Sequence, residues 1–291
     1  MNRCGISIHG CALIAAACLS FVAADAVRAG ADRGQERGWS VEDVLCFPAD
    51  SEMIQWMARE FDMEMMGWKM SYTKGSPACN RDLIAKIESH YEVSRFKGDA
   101  HIDVLWGGFD RAAVEKCLPA ILGLEEPRVT CARDGSITEV STQTGTKRYL
   151  GWSQRGFFVW HEDRKRVQDF LSEKTSLRTN EDMLALLERI GRTPSPVLWI
   201  ASTFHPLEEK IGIQLRGSTF VASKAAGKRE TTYLFESEAR ARAAIAVMRE
   251  KAKGKGPVEP FIQEILSVEP TVEGESIVLE VQRAPGGSKF D

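Results

Sequence analysis

From Trp39 onward, apolar positions along the chain fall into short runs whose spacing switches between two residues and three to four, the periods of strand and helix. The run "VEDVLCF" predicts a short strand that ends at Pro48. Asp50 or Ser51 can then cap a helix, with Glu52 in its first turn and a stop at Gly67. Along that helix Ile54, Met57, Phe61, Met65 and Trp68 share one stripe, and Met53, Trp56, Met63 and Met66 widen it. Asn80 opens a second expected helix, carrying Leu83, Ile84, Ile87 and Tyr91. "HIDVLW" alternates, so Ile102, Val104 and Trp106 lie on one side of a strand. Gly107-Gly108 turns the chain, and Asp110 caps a helix with Val114, Cys117, Leu118 and Ile121 on its apolar face. "RVTCARDGSITEV" reads as a hairpin turning at Asp134-Gly135, with Val129 opposite Val140 and Cys131 opposite Thr138. "KRYLGWS" and "GFFVWHE" form another strand pair about Gly156.

Beyond Asp163 the pattern continues with a helix on Val167, Phe170 and Leu171, and one opened by Asn180 with Met183, Leu184, Leu187 and Ile190. "VLWIASTF" is a buried-strand run, and "IGIQLRGSTFVAS" and "ETTYLFE" flank a loop from Lys224 to Lys228. Ser237 caps a long helix carrying Ala241, Ala244, Ile245 and Met248, and a hairpin about Glu273-Gly274 closes the pattern. Segments 101–141 and 229–281 repeat one order of elements without sequence similarity: strand, capped helix, strand, turn, strand. The expected fold is therefore α+β, in two related halves spanning 41–162 and 163–284, each an antiparallel sheet with helices on one face. A leader (1–31), a linker (32–40) and a tail (285–291) complete the division.

The leader changes how the rest is read. Arg3 precedes the uncharged run "CALIAAACLSFVAA", and small-residue cleavage sites follow at Ala24-Asp25-Ala26 and Ala29-Gly30-Ala31. The run is short of the ~20 apolar residues a bilayer span needs, so export with cleavage is expected, to the periplasm or beyond, with no transmembrane span left in the mature chain. Ala16-Ala17-Cys18 offers the alternative of a lipoprotein anchored through Cys18. A formal charge of −3 and a pI near 6.1 give no basic face for nucleic acid. Pro48-Ala49-Asp50, read as a strand-to-helix junction behind such a leader and ahead of tandem α+β halves, resembles a loose group of uncharacterised secreted bacterial proteins. That resemblance implies the compartment and the outline of the fold, and carries no catalytic residue over.

In an oxidising compartment the cysteines left after cleavage, Cys46, Cys79, Cys117 and Cys131, read as two disulfides. Four cysteines allow three pairings and the sequence alone does not choose among them; the one favoured, Cys79–Cys117 with Cys46–Cys131, ties helix to helix and strand to strand. No HExxH, GxSxG, GxxxxGK[ST] or CxxC motif occurs, so no catalytic residue and no cofactor is named. Histidines stand beside acids in "WHED" (160–163), at His90 with Glu92, and at His101 with Asp103. Each pair could supply a base or a metal ligand, against the plainer reading of a solvated strand end. The stretch 53–70 holds six of the nine methionines. A buried helical face explains most of them. Met53, Trp56, Met63 and Met66 are the candidate contact surface, and Met53, Met57, Met63 and Met66 the candidate thioether set for Cu(I). The expected function is that of an exported, non-catalytic binding or envelope structural protein, its partner a protein or envelope component. A Cu(I)-handling protein and an enzyme of another type are the alternatives.

Overall fold

The computed structural model describes residues 39–58, 86–94, 101–121, 129–142, 145, 147–172, 176–223, 228–253 and 260–282, all within one compact unit spanning 37–282. The expected leader with its expected cleavage sites, Cys18, the expected linker up to Gly38 and the expected tail lie outside the described residues.

After a one-turn helix α1 (Val41–Val44), capped by the Ser40 side chain, come strands β1 (Met53–Met57), β2 (Ile87–Ser94) and β3 (Ile102–Gly107). Helix α2 (Arg111–Ile121) leads to β4 (Val129–Asp134), β5 (Ile137–Thr142), β6 (Lys147–Trp152) and β7 (Phe157–His161). Helices α3 (Arg164–Leu171) and α4 (Glu181–Gly191) precede β8 (Pro196–Ser202), α5 (Pro206–Ile211), β9 (Gly217–Ser223) and β10 (Lys228–Leu234). Helices α6 (Glu238–Lys253) and α7 (Pro260–Ser267) then lead to β11 (Thr271–Glu273) and β12 (Ser276–Gln282).

All twelve strands form one antiparallel sheet in the order β11-β12-β10-β9-β8-β1-β2-β3-β7-β6-β5-β4. The α+β class is as expected. The expected halves, however, do not each close a sheet: β1 hydrogen-bonds β8, with Trp56 opposite Trp199 and Ile54 opposite Ala201, so the two sets of strands share one ladder. On each side of this seam runs a three-strand meander, β1-β2-β3 or β8-β9-β10. A helix follows, and the chain then returns to set β7 beside β3 and β12 beside β10.

Helices cover both faces of the sheet, not one. On the first face, Ile54 and Trp56 of β1 join Tyr91, Val104, Phe157 and Trp199 beneath Val167 and Phe170 of α3 and Met183 and Leu187 of α4. An aromatic chain runs through this core: Trp39 meets Trp199 edge-on at 5.1 Å, Trp56 stacks on Trp199, and Phe47 bridges Tyr91 and Phe170. The second face has two separate cores. Val114 of α2 covers Leu105, Val140, Leu150 and Phe158 at one end, and Ala241, Ala244 and Met248 of α6, with Ile262 and Ile265 of α7, cover Tyr233, Ile277 and Leu279 at the other.

Several local expectations give way. "VEDVLCF" is helix and then turn, because Ser40 caps it, so Pro48-Ala49-Asp50 joins a helix to a strand. Met53 and its neighbours are a strand at the centre of the sheet, where pairing with β2 and β8 outweighs a helical reading of "MIQWM". Ile54 and Met57 therefore face opposite sides. Ile87 and Tyr91 also lie in a strand, β2, while residues 59–85 lie outside the described set. The β4–β5 hairpin turns one residue later than expected, at Gly135-Ser136, with Gly135 at φ +59°. Val129 then meets Thr142, and Cys131 meets Val140.

Candidate metal centre on the sheet

Two antiparallel neighbours carry the same short motif on the second face: His90-Tyr91-Glu92 on β2, and His101-Ile102-Asp103 leading into β3. Alternation sends Tyr91 and Ile102 into the first core and leaves the imidazoles and carboxylates together on the other side. Glu92 lies directly opposite Asp103, so the register places two carboxylates side by side. Ligand atoms of His90, Glu92 and Asp103 all lie within 4.8 Å of one another.

Asp103 is the hub. Its Oδ1 is 3.1 Å from His90 Nε2 and 3.9 Å from His101 Nε2, and its Oδ2 accepts the indole N–H of Trp160 on β7. Burial alone raises the pKa of such a carboxyl. The His90 hydrogen bond, the charges of His90 and His101, and the Trp160 N–H together outweigh it and hold Asp103 below the ordinary carboxylate range. His90 is buried and His101 is half exposed. The site thus opens to solvent on the His101 side and closes toward the sheet.

The sequence named both His/acid pairs, and the strand register alone brings them together. "WHED" divides differently. Trp160 joins the site through its N–H, His161 Nδ1 accepts the backbone N–H of Asp163, Asp163 caps α3, and Glu162 pairs with Arg148 at 2.6 Å. Trp160 was not anticipated as part of the site; its only sequence signal is that it alternates in phase with Phe158 on β7.

Of the thioether set, only Met53 and Met57 lie among the described residues, and those two do not meet. Met53 and Met57 point from the same face of a strand, but four residues apart, roughly 13 Å, which is too far to share one ion. Met63 and Met66 lie outside the described residues. Trp56 is buried against Trp199 and cannot form a contact surface, whereas Met53 is half-buried. The cysteine pairing also changes. Cys46 and Cys131 are not bonded to each other, because Cys46 packs into the core on the first face while Cys131 lies on edge strand β4 pointing to the second, with the sheet between them. Cys117 is disulfide-bonded, and its expected partner Cys79 lies outside the described residues.

Two further polar clusters are closed on themselves. Glu115 of α2 binds Arg111 at 3.0 Å, accepts Thr138 Oγ1–H at 2.6 Å and pairs with Arg133, pinning the β4–β5 hairpin. Arg189 of α4 binds Thr232 Oγ1 at 3.2 Å and Glu273 at 3.0 Å. Two hollows lie elsewhere: one beneath Pro48 and Phe170, the other, open and about 320 Å³, lined by Asp134, Ile137, Arg164 and Gln168.

Fold and site together define an α+β protein built on one long antiparallel sheet, with a His/carboxylate cluster on the sheet face. No family model matches the chain, and no curated protein matches it. Among solved structures, crystal form III of TP0453 is similar over 84% of this chain and 95% of that one, with a TM-score of 0.50 and 8% identity. Crystal forms IV and I of the same protein score 0.46 and 0.45, at 8% and 9% identity, over 82% and 84% of this chain and 92% and 94% of theirs. The likeness to form III is one of fold alone. Among the described residues no helix is long and apolar enough to cross a membrane.

Proposed function

We propose that the chain is an exported binding or cell-envelope structural protein that works without intrinsic catalysis, its partner a protein or an envelope component. The observation that supports this reading is how the polar side chains are used. The Glu115 and Arg189 clusters tie helices and hairpins to the sheet, and Asp103 ties β2, β3 and β7 to one another. An enzyme would instead bring such groups together inside a cleft. The two hollows described above are lined by neither His90 nor Asp103. Arg3, the apolar run from Cys11 to Ala24 and the small residues behind it supply the export signal.

Cell fractionation with mass spectrometry of the N-terminus tests the compartment. The expected chain begins at Asp25, Val27, Gly30 or Asp32, or close by, and appears outside the cytoplasm. A cytoplasmic chain that keeps Met1 would overturn the reading, and a lipid-modified Cys18 would replace cleavage near Ala26 or Ala31 with anchoring.

A further inference from the structure

We infer that His90, Glu92, His101 and Asp103 form a binding site for one divalent transition-metal ion of the zinc class. The inference holds whether or not the chain is exported. Its first support is an electrostatic conflict built into the register. Like charges directly opposite on neighbouring strands destabilise a sheet, yet Glu92 and Asp103 are placed so, and a cation between them removes the conflict.

The second support is the donor set. Two imidazoles and two carboxylates are the nitrogen and oxygen ligands that borderline divalent ions take, whereas calcium and magnesium favour all-oxygen sites. Bonds of about 2.0–2.2 Å to each ligand in tetrahedral geometry imply ligand atoms roughly 3.4 Å apart. The separations from Asp103 Oδ1, 3.1 Å to His90 and 3.9 Å to His101, bracket that value. Ligand atoms of His90, Glu92 and Asp103 fall within 4.8 Å of one another, so modest side-chain rotation closes the set.

The third support is the surrounding shell. A metal-binding carboxylate is usually oriented by a hydrogen bond to its other oxygen, and Trp160 supplies one to Asp103 Oδ2 while Oδ1 faces the imidazoles. His90 and Glu92 stand two apart on one strand, and His101 and Asp103 flank one residue at the start of the next. The strand ladder therefore fixes the spacing of His90, Glu92 and Asp103, and His101 immediately precedes it. The half-exposed His101 gives an ion its path from solvent. With Asp103 ionised, His90 Nε2 carries the proton of their hydrogen bond; metal binding displaces that proton, to Nδ1 of a neutral ring or to solvent from an imidazolium, and the freed Nε2 lone pair takes the ion.

Isothermal titration of the metal-stripped mature chain with zinc alone tests the site. The expected result is one zinc per chain, with Glu92→Gln and His101→Ala each weakening binding by at least about tenfold at unchanged circular dichroism. His101 is half exposed and Glu92 partly so, which keeps both variants foldable where a change at the buried His90 could fail. Cys131→Ser should bind like the parent, since that thiol lies on β4, away from the site. No zinc uptake by the parent chain would overturn the inference. So would parent-like affinity in both ligand variants, or loss of binding in Cys131→Ser.

Discussion

Single side chains in this protein owe their behaviour to what the sheet sets beside them. His205 shows this most directly. It begins α5, where its Nδ1 accepts the Leu207 N–H at 3.0 Å, and its ring lies edge-on to Tyr233 at 4.9 Å. Burial disfavours the imidazolium there and lowers its pKa from 6.5 to about 4. Below pH 6.5 the unfolded chain takes up a proton that the folded chain refuses, so this residue's contribution to stability is lost as pH falls, down to about pH 4. The loss is at most about 1.4 kcal/mol per pH unit, and chemical denaturation at pH 7 and pH 5 should show it. Asparagine also caps helices, so His205→Asn should flatten that dependence while keeping α5. A parent chain equally stable at both pH values would refute the assignment. Asp103 acts lower on the scale. Its depressed pKa stabilises the fold above the ordinary carboxyl value of 3.8, and that contribution is lost as pH falls through the lower folded value. The chemistry of both groups was invisible in sequence, because the burial of His205 beside Tyr233 and the pairing of Asp103 with His90 join residues that are not chain neighbours.

At the level of elements, the helices were the more legible part. Asp110, Asn180 and Ser237 each accept a backbone N–H at the start of α2, α4 and α6, as their positions ahead of apolar stripes implied, and Asp163 caps α3 in the same way. Ala241, Ala244, Ile245 and Met248 of α6 are buried as their spacing predicted. The failures came where a short apolar run suits either period: Met53–Met57 and Ile87–Ser94 became strands because each gained two hydrogen-bonded neighbours. Gly151 on β6 records how closely α3 approaches the sheet. A Cβ there would lie 2.5 Å from Val167 Cγ1 and 2.7 Å from Leu171 Cδ1. Gly151→Val should therefore push α3 off the sheet and cost about 1–3 kcal/mol, read as a lower urea midpoint. An unchanged midpoint would mean that α3 is not seated as described.

For the molecule as a whole, the seam between β1 and β8 decides the architecture. Because Trp56 stacks on Trp199 across it, each set of strands buries apolar surface against the other. The ends of the sheet are weaker. β11 has three residues, and β4 is exposed from Thr130 to Asp134. Hydrogen exchange should find β1, β2 and β8 the slowest strands and β4 and β11 the fastest, and equal protection at centre and edge would contradict a single sheet. The sequence by itself determined the α+β class, the caps of α2, α4 and α6, most of the strands beyond Ile102 and the two His/acid pairs, because all of these rest on local spacing and local hydrogen bonds. Only the tertiary structure decided that the strands form one sheet with helices on both faces, that Trp56 is core, that Cys46 and Cys131 lie on opposite faces, and that the two pairs converge at Asp103. Each of these depends on which strand lies beside which, and in what register. Those pairings join residues far apart in the chain, and no periodicity within a single segment encodes them.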